Sequence, residues 1–101
     1  MVVGIGMIQL YIEDSRSLKE KRSVVRKIVN RAQNNFNASI AEIGALDSWT
    51  HSVIGFSMVG NDRGFINSKM DKLLTFVENL HLADVTHSQI EITSISDVID
   101  K

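Results

Sequence analysis

At 101 residues, 44% apolar and 23% charged, the chain has the size and composition of one globular domain that folds without metal or disulfide staples; having no cysteine, it lacks disulfides, thiolate catalysis and Cys-based zinc sites. No apolar run approaches the roughly 20 residues that span a bilayer, and MVVGIGMIQLYIED lacks the basic start of a signal peptide, so a cytoplasmic chain without membrane attachment is expected. The net charge of −1 conceals a polarity: Arg16 to Arg31 holds seven of the eleven Lys and Arg but one of the twelve Asp and Glu, a local +6 that leaves −7 for the rest.

Val2 to Glu13 alternates, with Ile8, Leu10 and Ile12 on one side and Met7, Gln9 and Tyr11 on the other, the period of a half-buried strand. Ser17-Leu18-Lys19-Glu20 reads as a capping box, its serine accepting from the Glu20 amide while Glu20 reaches back, so a helix opens there. Leu18, Val25, Ile28, Val29, Ala32 and Phe36 fall within about a third of a turn, which predicts an amphipathic helix ending at Asn34-Asn35. Asn37 to Gly44 predicts a short strand, Ala45 to Ser48 a turn and Trp49 to Gly60 a longer strand, joined as an antiparallel hairpin. Asn61-Asp62 offers a second cap, and Ile66, Met70, Leu73, Val77 and Leu80 recur at helical spacing as far as His81. A final strand is expected from about Val85 to Ser96. With one apolar stripe on each helix, the order βαββαβ predicts an α+β ferredoxin-like plait. Two helices cover one face of a four-stranded antiparallel sheet, in a single domain over residues 1–101.

Several stretches have a familiar wording: MVVGIG in the first strand, SRSLKEKRSVVRKI on the first helix, FNASIAEI into the second strand, DSW in the hairpin and GND after the third. Together they resemble the YlxP-like family of small bacterial proteins. The likeness covers about Met1 to Leu80, and SRSLKEKR is its most specific part. Gly60 departs from it, standing where a serine is expected before Asn61-Asp62. The resemblance implies a ferredoxin-like fold, no established activity, and a gene neighbourhood among translation and transcription factors, which is an association and not a mechanism.

Two surfaces are candidates for function. On the first helix Lys19, Arg22 and Arg26 lie within about 60° of one another, Arg16 precedes the cap, and Asn30 and Gln33 continue the flank, whereas Lys27 and Arg31 point elsewhere. One acid among eight charges leaves little for i,i+4 pairing, so intrahelical salt bridges do not account for the composition. A bland account remains, because Lys and Arg are good helix formers that a solvated face accepts cheaply. The functional expectation is phosphate contact by Arg16, Lys19, Arg22 and Arg26 with structured RNA, ribosomal RNA included.

The second surface is the sheet face that the helices leave open. Ile54, Phe56 and Met58 are expected in the core, which leaves Val3, Ile5, Met7, Tyr11 and Val59 outside. One aromatic and no basic, double-aromatic motif argue against an RNA-reading sheet. The face is apolar enough for a homodimer or other homo-oligomer, with Met7 and Tyr11 in the contact. Trp49, after the hairpin turn, is expected to plug the sheet edge or to anchor a contact.

The remaining constellations have structural readings. Asp62 reads as a helix cap, and about 35 Å of extended chain separates Trp49 from Asn61-Asp62, too far for one site. His51, His81 and His87 lack metal-ligand spacing, and no serine sits in GxSxG. Gly4-Ile5-Gly6 has Gln9 in place of a third glycine, so its glycines are expected to admit a closely packed helix. A non-enzymatic binding module is therefore expected, with no catalytic residue, cofactor, metal or small-molecule substrate.

Overall fold

The computed structural model describes residues 1–95. Its elements are β1 (Val2–Tyr11), α1 (Leu18–Asn35), β2 (Ser39–Gly44), β3 (His51–Gly60), α2 (Arg63–Asn79) and β4 (Asp84–Ser94). They form one antiparallel sheet in the order β2-β3-β1-β4, with both helices packed into a single core on one face: the expected ferredoxin-like plait. β1 is central because it can pair on both sides, running from Val2 opposite Gly60 and Ser94 to Tyr11 opposite His51 and Asp84. Its alternation delivers Val2, Gly4, Gly6, Ile8 and Leu10 to the helices, and β3 contributes Ile54, Phe56 and Met58 to the same layer.

Both helices open as expected. Ser17 Oγ accepts from the Glu20 amide at 3.0 Å, while the Glu20 carboxylate reaches back one residue beyond the cap to accept from the Arg16 amide at 2.6 Å. Asp62 Oδ2 accepts from the Phe65 amide at 2.8 Å and caps α2. α2 buries Ile66, Met70, Leu73 and Val77 over β1 and β4, and α1 lies over β2. Phe36 and Phe76 meet edge to face across the two helices, with centroids 5.6 Å apart.

The two strand glycines have different causes. A Cβ at Gly4 would lie 2.8 Å from Ile66 Cγ2 and 2.9 Å from Met70 Sδ, so this glycine does admit α2. A Cβ at Gly6 would instead fall 2.2 Å from the ring of Phe56, its partner on β3. Here the glycine clears space for an aromatic from the neighbouring strand, not for a helix.

Several boundaries shift. β1 stops at Tyr11, although Ile12 stays buried and donates its amide to Thr50 O at 2.7 Å, so the alternation outlasts the regular pairing. β2 begins at Ser39 and β3 at His51, two residues later than expected in each case. α2 ends at Asn79, and His81 takes a left-handed backbone, φ 53°, at the turn into β4. Ser96, the expected end of the last strand, lies outside the described residues.

Candidate functional site

The buried stripe of α1 contains a charge. Lys21, Val25, Ile28 and Ala32 line it, and Lys21 is 0% exposed. Burying an ammonium is tolerable only when it is paired and hydrogen-bonded. Its Nζ lies 2.7 Å from Glu42 Oε2 and donates to the carbonyls of Ala45 at 3.1 Å and Leu46 at 3.4 Å. Ser52 Oγ donates to the same Glu42 oxygen at 2.7 Å. β2 turns Ile40 and Glu42 toward the helices, which sets the carboxylate beneath α1. Among the described residues no buried side-chain N or O is left without a partner. The network ties the first turns of α1 to the loop that follows β2.

Lys21 therefore does not belong to the exposed basic face, which is smaller than the sequence count. Arg16, Lys19, Arg22, Arg26, Lys27 and Arg31 remain exposed. Among the described residues no carboxylate forms a salt bridge with any of them, and Glu20 is engaged with the Arg16 amide. The flank holding Lys19, Arg22 and Arg26 can be placed. Gln33, on that same flank, donates to the Ile40 carbonyl of β2 at 3.4 Å. The cation row thus runs along the outer edge of the molecule, above an edge strand, and not between the helices. Arg16 sits in the β1–α1 connection at the end where that loop also lies.

Residues 45–50, between β2 and β3, are braced on several sides. Ala45 adopts φ 55° and its carbonyl also accepts the Ser48 amide at 3.0 Å. Ser48 Oγ accepts from the amides of Thr50 at 3.3 Å and His51 at 2.9 Å. Trp49, set between these anchors, is 58% exposed, so it plugs no edge. Leu46 and Asp47 beside it are exposed as well.

The open sheet face carries the residues expected of it. Ile5 is 51% and Val59 68% exposed, with Val3, Met7 and Val53 half-buried among them. The alternation of β2 adds Ile43, 55% exposed, whose side chain lies over Gly55. Ile43, Ala41, Ile5 and Met7 wall an apolar groove of about 470 Å³ with Gly55 in its floor and Gln89 and Glu91 at its β4 rim. Tyr11 stands at the far end of β1, its ring 5.1 Å from that of His51. Met7 and Tyr11 thus share the face, whereas Trp49 belongs to the loop beyond it.

His51, His81 and His87 are exposed and lie in β3, the α2–β4 connection and β4. Among the described residues no three His, Asp or Glu side chains converge as metal ligands, and no helix is long and apolar enough to cross a membrane.

Comparison with known proteins fits this architecture. The uncharacterised protein YlxP of Bacillus subtilis (strain 168) is 33% identical over 90 residues, which span 89% of this chain and 98% of YlxP. The de novo designed protein Foldit4 superposes with a TM-score of 0.52 over 95% of this chain and 100% of its own at 9% identity, a likeness of fold alone. A REP-associated tyrosine transposase bound to a REP hairpin reaches a TM-score of 0.43 over 93% of this chain and 57% of its own at 10% identity, too loose an overlay to carry an argument. Residues 3–90 match the family described as "Protein of unknown function (DUF503)", so the likeness runs past the motifs of the first three strands and well into β4. On both grounds the chain belongs to the DUF503, YlxP-like family.

Proposed function

We propose that this protein is a cytoplasmic, non-enzymatic binding module that engages structured RNA through Arg16 and the outer flank of α1, Lys19, Arg22 and Arg26. One observation carries the reading: these four cations are exposed, and among the described residues no carboxylate neutralises them. A rigid helix presenting several such charges releases counterions when it meets a phosphate backbone, each contact adding roughly 0.7–0.9 to the salt slope. Ribosomal subunits are the first target to try, given the translation-gene neighbourhood that the family resemblance implies. Titration across salt is expected to give a slope that falls by about 2–3 when Lys19, Arg22 and Arg26 become alanine. An unchanged slope would remove the reading.

A second reading rests on the open sheet face, with a second copy of the chain as its occupant. Four strands about 4.8 Å apart, of 10, 6, 10 and 11 residues, offer roughly 600 Å² per copy, the lower end of specific interfaces, whose typical size is about 800 Å² per partner. The exposed Ile5, Ile43 and Val59 and the groove between them supply the apolar content. Light scattering is expected to show a dimer that Ile5→Glu converts to monomer; a monomer at high concentration contradicts this reading.

A further inference from the structure

We propose that the loop of residues 45–50 is a base-stacking finger, and that the RNA recognised is single-stranded where it meets Trp49. The inference rests on the RNA reading above and specifies its ligand. An indole 58% exposed at the tip of a free loop would mean little. This one is held. Ser48 and Thr50, on either side of it, are fixed through Ser48 Oγ and through Thr50 O, which accepts the Ile12 amide at 2.7 Å. The start of the loop is fixed by Lys21, which spends two of its three N–H donors on the carbonyls of Ala45 and Leu46. A backbone braced in this way keeps a large aromatic in water at little further entropic loss on binding.

The same lysine sets the finger's neighbours. Lys21 bonds the loop to the first turns of α1, the end of the helix that carries Lys19 and Arg22, and Gln33 places their flank over β2, the strand from which the loop leads. An exposed indole on a loop bonded to the cation-bearing helix supplies the chemistry that binds unpaired nucleotides, with the base stacked and the backbone held by charge. In an A-form duplex the base faces are hidden within the stack, so a paired stem engages the cations alone. Asp47 sharpens the geometry. Exposed beside Trp49, it repels phosphate and so directs the backbone toward α1, while it can accept from an exocyclic base amine.

Trp49 is the sole tryptophan, so its emission reports on stacking directly. The test titrates the full chain with a labelled RNA hairpin bearing an unpaired loop and with the blunt duplex of the same stem, following Trp49 emission and RNA anisotropy together. The hairpin is expected to quench Trp49 and the duplex to leave it unchanged. Trp49→Ala is expected to weaken hairpin binding about 5- to 100-fold and duplex binding less than about twofold, with Trp49→Phe retaining most of the hairpin affinity. If both RNAs bind alike with unchanged emission and Trp49→Ala has no effect, the stacking inference falls while the charge reading stands. If neither RNA binds, both fall. Self-association that Trp49→Ala abolishes in the absence of RNA would assign the indole to a protein contact and overturn the inference.

Discussion

The two helices cover the same face of the sheet and share the same amphipathic design, yet they differ on both sides. α2 buries only apolar residues, and its charges are nearly balanced or engaged: Arg63 donates to Ile92 O at 2.9 Å, and Lys69 lies 5.5 Å over the Phe65 ring. α1 buries an ammonium and leaves its outer cations without partners among the described residues. Apolar packing alone suffices to seat a helix on this sheet, as α2 demonstrates. The Lys21–Glu42 pair is therefore not required for the fold as such; what it adds is a fixed position for the loop after β2. The buried ion pair and the unneutralised cations thus fall in the same half of the molecule.

Breaking that difference should have its largest effect at Glu42. Glu42→Ala strands the fully buried Lys21 and is expected to cost about 3–5 kcal/mol in denaturant unfolding. Converting the α1 stripe to the α2 kind, with Lys21→Met and Glu42→Leu together, should restore most of that stability. Amide exchange in residues 45–50 should nevertheless be faster in the double variant, because nothing then holds the Ala45 and Leu46 carbonyls. Equal exchange in both proteins would mean that the loop orders itself.

A smaller effect is expected where each half holds a non-glycine residue in a left-handed conformation. Ala45→Gly and His81→Gly should each raise stability by up to about 1 kcal/mol, measured by denaturant midpoints. The gain at His81 should be the cleaner, since Ala45 is already fixed by Lys21 and Ser48 and glycine there changes only the local strain.

How much of this was legible in the sequence follows from the range of each interaction. Caps and periodicity are local, so both helices, all four strands and the facing of Ile54, Phe56 and Met58 could be read directly. Lys21 was partly legible: its spacing from Val25, Ile28 and Ala32 places it on the buried stripe, but in the sequence it counts only as one charge within the +6 of Arg16 to Arg31. Its partner Glu42 lies 21 residues away on a different element, and no periodic pattern connects the two. Ile43 follows Ala41 onto the open face by the alternation of β2, a pattern that was legible once Ile40 and Glu42 were known to point inward. The cation row was legible as composition. Its location above an edge strand was not, because it is fixed by the bond from Gln33 to the Ile40 carbonyl of β2, which the helical pattern does not reveal.

The central claim, that one helix of the pair is a nucleic-acid surface, is tested most directly by removing two charges from each in turn. Arg22→Ala with Arg26→Ala is compared with Lys69→Ala and Lys72→Ala, two variants of equal net charge, in a salt-dependent titration with structured RNA. The α1 variant should lose about 1.4–1.8 from the salt slope and the α2 variant essentially none. Equal losses from both would reduce the attraction to net charge and contradict a site on α1.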